Sequence, residues 1–199
     1  MIRNKDIAKK ILLEQIKDSG IDYRYFLTID YPYKQTNYNN VISDNRYLRR
    51  LLRKFYKSDI HMIFFIEKHM DTASNHYGGY HRHILVEDAP ESRWMYPANS
   101  MVNFMLNIDV EQMFAMKMRI VPSNEYKKKL LCKVVRDLCD SAPNGYLGTN
   151  VLLKDEDKGG IEGLVGYGTK QIDMVHPAYE VVDPTSSDIN ARPLLDMYI

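Results

Sequence analysis

The residues best suited to chemistry are His81 and His83, in Tyr80-His81-Arg82-His83-Ile84-Leu85-Val86-Glu87. This segment runs into Ile, Leu and Val and reads as a strand. Side chains on a strand alternate with a period of two, so the two imidazoles share a face, with ring nitrogens a few ångströms apart. Two such nitrogens can clamp one divalent ion, although a lone His-x-His on a strand is more often a pair of surface histidines. A hard oxygen ligand would leave positions open for phosphate and water. Glu67, at the end of a neighbouring strand, is the first candidate; Asp71 and His69 follow, as a further ligand or as a partner orienting a histidine. Far downstream stands Tyr167, with Lys170 three residues on. A phenol can attack a phosphodiester, and a divalent ion can polarise the phosphate under attack. On one helix face, Lys170 can stabilise the phenolate or grip the transferred phosphate. With 15 tyrosines in the chain, Tyr167 acquires meaning only from this combination.

The elements that must position these groups are legible in outline. Residues 4–19 read as a helix, with Ile7, Ile11, Leu12 and Ile16 at helical spacing, Asn4 as cap and Gly20 as stop. Residues 23–30 (YRYFLTID) have strand content, ended by Tyr31-Pro32. Residues 34–42 are polar and read as loop. Ser43 then caps a helix over 43–57 whose apolar stripe is Tyr47, Leu48, Leu51, Leu52 and Phe55. Its other side carries Arg46, Arg49, Arg50, Arg53, Lys54 and Lys57, either a solvated charged face or a contact with a phosphate backbone.

Residues 61–67 (HMIFFIE) form a continuously apolar strand, which predicts a central position in a sheet. A Gly-containing loop over 68–80 makes it an antiparallel hairpin with the histidine strand. Two Met-rich pieces, 100–107 and 110–118, read as short helices whose methionines fill core. Residues 124–140 read as a helix with a second basic surface that includes Lys127 and Lys128. A turn at 143–145, a short strand at 151–153 and a turn at 155–160 precede a helix over 160–171. Its Gly163, Gly166 and Gly168 each cost about 1 kcal/mol relative to alanine, so packing must hold it, or the tyrosine is meant to move. The last residues are read as wrapping the surface or meeting a partner.

Composition sets wider bounds. A chain of 199 residues predicts one domain with one sizeable core. A net charge of +1, from 27 basic and 26 acidic residues, neither favours nor excludes nucleic acid, so any such surface must come from local clustering. Cys132 and Cys139 lie in one helical stretch, about 10 Å apart along its axis and too far to bridge. Free thiols, together with no long apolar run and no leader, predict a cytoplasmic protein with no membrane partner.

Three motifs occur in a fixed order: Phe26-Leu27-Thr28-Ile29-Asp30-Tyr31-Pro32, then His81-Arg82-His83-Ile84-Leu85, then Tyr167-Gly168-Thr169-Lys170. In that order they resemble the HUH endonucleases, specifically the rolling-circle replication initiators of small plasmids, phages and single-stranded DNA viruses. The resemblance spans residues 23–172. It implies an α+β fold: an RRM-like antiparallel sheet backed by helices, with the metal site on the open face. The domain would be a single nuclease unit over 1–199, with a helical insert at about 88–141 and a tail at 174–199. It implies Mn²⁺ or Mg²⁺ as cofactor and single-stranded or hairpin origin DNA as substrate, nicked to leave a 5′-phosphotyrosine on Tyr167. Without a G-x-x-x-x-G-K-[ST] motif the chain would rely on a host helicase and polymerase.

Arg82 departs from the family, where an apolar residue faces the helix-packed side. It must snorkel, or that face is less covered. A single-tyrosine transposase fits the same motif order. A non-catalytic RRM-like module is a further reading, stacking single-stranded nucleic acid on Tyr23, Tyr25 and Phe64. So is a metal hydrolase using water as nucleophile.

Overall fold

A computed structural model describes residues 4–56, 59–88, 131, 147–172, 177–190 and 192–196. The elements are α1 (Asn4–Ser19), β1 (Tyr23–Asp30), α2 (Tyr38–Tyr56), β2 (Met62–Lys68), β3 (Tyr80–Glu87) and β4 (Leu147–Leu153). After a 3₁₀ turn (Glu156–Lys158) come α3 (Gly160–Gly168), α4 (Ala178–Val181) and α5 (Arg192–Asp196). The four strands form one antiparallel sheet in the order β2-β3-β1-β4, an α+β arrangement of RRM-like kind. The basic helix at 124–140, the Met-rich pieces and the turn at 143–145 lie outside the described residues, apart from the buried Leu131.

Strand periodicity divides the core in two. Tyr25, Leu27 and Ile29 of β1, with Phe64, Ile66, Ile84 and Val86, pack on Val41, Leu48 and Leu52 of α2. Phe26, Ile63, Phe65 and Leu85 face the other way, against Ala8, Leu12 and Ile16 of α1 and Val165 of α3. The second face is therefore covered over the Tyr23 end of β1. At the opposite end it is left as a cleft of about 1090 Å³ running from Thr28, Asp30, His69, His81 and His83 to Tyr167.

Several local expectations are corrected. The helix α2 starts at Tyr38, and its cap is Asn37, whose Oδ1 accepts from the backbone N–H of Asn39 (3.0 Å) and Asn40 (3.3 Å). The polar run at 38–42 misled because Asn is also a cap residue and Val41 is buried. Strand β2 is an edge strand, not a central one. Its continuous apolar run is explained by cover on both faces and along its free edge. There Asp183 N–H donates to Phe64 C=O (3.0 Å), Asp188 N–H to Met62 C=O (2.7 Å), and the Ser187 hydroxyl accepts from Phe64 N–H (2.9 Å). The C-terminal segment thus blunts an otherwise sticky edge.

Arg82 neither snorkels nor faces open surface. It is fully buried on the α2 side, donating to Asn45 Oδ1 (3.1 Å) with its guanidinium 4.6 Å from the Tyr31 ring centroid. Asn45 in turn donates to Asp183 Oδ2 (3.0 Å), which ties the back of the histidine strand to the C-terminal segment. Tyr23, Tyr25 and Phe64, the proposed stacking platform, are buried.

Candidate functional site

The register of the sheet assembles the site. Glu67 on β2 lies directly opposite His81 on β3, and His83 lies opposite Thr28 on β1. The Glu67 side chain is 0% exposed. His81 Nε2 and His83 Nε2 are 3.2 Å apart, and Glu67 Oε2 is 3.5 Å from the first and 3.4 Å from the second. A point equidistant from these three donors lies about 1.9 Å from each, close to the bonds of roughly 2.0–2.2 Å that divalent ions make to imidazole and carboxylate. Glu67 Oε1 is buried and makes no hydrogen bond among the described residues, an arrangement that costs free energy unless a cation or water takes it up. Glu67, His81 and His83 are therefore a candidate metal-binding triad.

Electrostatics favour the liganding forms. Burial opposes ionisation of Glu67, but the close imidazoles of His81 and His83 and the nearby Lys170 outweigh it and hold the carboxyl down at about 2. Burial pushes the His83 imidazole below its ordinary value, against the pull of Glu67. His83 Nδ1 pairs with Thr28 Oγ1 at 2.9 Å, which fixes the ring and leaves Nε2 free to bind. His69 is also pushed down, chiefly by burial and by His81 beside it; its Nε2 lies 3.4 Å from Asp30 Oδ1. Asp71 is exposed, and its Oδ1 accepts from Ala73 N–H (2.9 Å) in the turn after β2.

The tyrosine arrives on a helix pressed onto the sheet. A Cβ at Gly168 would stand 2.7 Å from the Phe65 ring, and one at Gly163 would stand 2.6 Å from the Lys158 carbonyl oxygen. Those glycines permit close approach. The helix ends at Gly168, not at residue 171; Lys170 lies in a following turn, where its N–H donates to Tyr167 C=O (3.2 Å). Gln171 clamps that turn to the sheet, accepting from Lys68 N–H (2.8 Å) and donating to Lys68 C=O (2.7 Å). The result places the Tyr167 ring, 49% exposed, with its centroid 5.1 Å from that of His83 and 5.9 Å from that of Phe26. Lys170 Nζ lies 3.4 Å from the Tyr167 centroid and 2.9 Å from Glu67 Oε2.

The basic residues of α2 lie on the opposite face of the sheet. Arg49 and Arg53 pair with Asp188, Arg46 Nε donates to Thr185 Oγ1 (3.4 Å), and Arg50 sits 5.4 Å from the Tyr47 ring centroid. Lys57, Lys127 and Lys128 lie outside the described residues. Four residues of the site escaped attention as site residues: Asp30, Thr28, and the cleft-lining Lys154 and Lys158. Thr28 and Asp30 could have been found from their even spacing on β1, which sets them on one face. The lysines carry no such signal. Comparison of the chain with family models, with curated proteins and with solved structures finds no match in any of the three.

Proposed function

We propose that this protein is a metal-dependent, site-specific endonuclease and strand transferase acting on single-stranded DNA, of the HUH type, that nicks an origin to start rolling-circle replication. The observation that carries this reading is the meeting of groups from three separate stretches of the chain: the Tyr167 ring beside His83, with Lys170 Nζ between that ring and Glu67. His81, His83 and Glu67 would hold Mn²⁺ or Mg²⁺; a set mixing imidazole with carboxylate favours Mn²⁺. When bound, the ion supplies polarisation of the scissile phosphate and neutralises developing charge.

The chain's own residues do the rest. The Tyr167 oxygen attacks phosphorus, the bond to the 3′ oxygen breaks, and the phenolic proton ends on that departing oxygen. The products are a 5′-phosphotyrosine and a free 3′-hydroxyl. Lys170 neutralises charge on the transferred phosphate. The half-exposed Leu152 offers apolar surface to bases along the cleft, and Lys154 and Lys158 offer charge to the backbone. A host helicase and polymerase would extend the nick. Transposition by the same chemistry shares the motif order and is separated from initiation by the DNA sequence that is cut.

The test is incubation with single-stranded oligonucleotides and Mn²⁺, followed by a denaturing gel. A covalent protein–DNA band that disappears with Tyr167→Phe, while DNA binding is retained, is the expected outcome. Cleavage with no covalent species would assign the work to water, and binding with no cleavage would leave a binding module.

A further inference from the structure

We propose that Asp30, His69 and His81 form a second divalent-cation site beside the first, with the imidazole of His81 shared between the two. One ligand atom from each residue falls within a sphere of mutual separations no larger than 4.8 Å, as in the Glu67 triad. His69 Nε2 lies 3.4 Å from Asp30 Oδ1, and the His69 and His81 rings are 4.3 Å apart at a tilt of 31°.

The two liganding histidines of the first site differ in what their other nitrogen does. A metal-bound imidazole ordinarily gives its remote N–H to a partner. His83 obeys, through Thr28. His81 does not: its Nδ1 is buried with no hydrogen bond. The same is true of His69 Nε2 and Asp30 Oδ1. Three buried polar atoms, one on each of three clustered residues, thus make no hydrogen bond among the described residues, and two of them, His69 Nε2 and Asp30 Oδ1, face each other at 3.4 Å. Each would cost free energy if left so, and a cation would satisfy all three. Two imidazoles and one carboxylate repeat the donor set of the first triad, so the second site takes the same class of ion. Occupancy of both sites uses both nitrogens of His81, whose ring proton is then released to solvent.

The inference concerns ion binding and stands apart from the reading of the protein as a nuclease. Titration of the full chain with Mn²⁺ alone, with free ion counted from its electron paramagnetic resonance signal, tests it. Two ions per chain are expected for the wild type. One is expected for Asp30→Ala, for His69→Ala and for His83→Ala, and none for Asp30→Ala combined with His83→Ala. His81→Ala should weaken both sites at least tenfold. Circular dichroism checks each fold, and Asp30→Asn replaces any variant that does not fold. One ion per chain in the wild type, or a count of two unchanged by both Asp30→Ala and His69→Ala, overturns the second site. Two ions with no covalent DNA adduct overturns the nuclease reading alone.

Discussion

The two faces of the sheet bury polar groups in opposite ways. Behind β3, Arg82 is sealed against Tyr31 and bonded to Asn45, which is bonded to Asp183. In front, one residue away on either side, His81 and His83 meet Glu67, and Glu67 Oε1 and His81 Nδ1 are buried with no hydrogen bond among the described residues. One strand thus carries a guanidinium sealed in the core on one side and a set of metal-ligating side chains lining an open cleft on the other. A buried polar group bonded within the chain contributes to holding one fold. One left open is a cost that the rest of the fold sustains, and a ligand can relieve it.

If the comparison holds, breaking the back should cost stability and breaking the front should cost ion binding. The largest effect is expected from Arg82→Ala, which opens a cavity at one of the largest fully buried side chains and strips a donor from Asn45. A loss of about 3–5 kcal/mol in denaturant unfolding is predicted. Unchanged stability would remove the structural role from the back face.

Next is acid. The folded-state carboxyl of Glu67 sits at about 2, below its ordinary value of 4.5. A depressed acid stabilises the fold above its unfolded value and loses that contribution as pH falls through the folded one. Ionised Glu67, held by the imidazoles and Lys170 beside it, is thus the one front-face group expected to contribute to stability, present above about pH 4.5 and lost as pH falls toward 2. Glu67→Gln should flatten the stability curve over that window; a curve that still falls as steeply would place the acid sensitivity elsewhere.

Gly168→Ala comes third. Its Cβ would meet the Phe65 ring at 2.7 Å, so α3 must lift from the sheet, with a cost of about 1–3 kcal/mol and a weaker covalent adduct with DNA. Retained adduct at reduced stability would mean that Tyr167 does not depend on the seating of its helix.

The smallest effect sharpens the contrast most. Thr28→Val keeps volume but removes the partner of His83 Nδ1. Mn²⁺ affinity should fall about 10-fold, measured by calorimetry, with little change in melting temperature. A large drop in melting temperature would make the front face structural too.

Much of this was legible in the sequence, and the part that was has a local cause. The alternation of β1 and β3, the Leu12 and Ile16 part of the α1 stripe and the hairpin pairing of 61–67 with the histidine strand follow from side-chain periods of 2 and 3.6, which neighbours in sequence set by themselves; Ile7, expected in that stripe, is exposed, and Ala8 is buried in its place. The same periods put His81 and His83 on one face; the hairpin brought Glu67, His69 and Asp71 toward that face, and the register of the folded sheet chose Glu67 as the residue opposite His81. Where two local signals competed, the reading slipped: Asn37 outranked Ser43 as a cap, and the turn at Lys170 outranked the helix.

Tertiary structure alone decided the rest. Strand order made β2 an edge, and residues 183–188 made that edge look central from within the sequence. The side chains of Asp30 and His69 met over β3, which lies between their strands, Arg82 found Asn45, and the arginines of α2 turned to Asp188. Each is a pairing between distant segments, fixed by packing and by the need to satisfy buried charge. A residue's own neighbours in the chain carry no record of what will be folded against it.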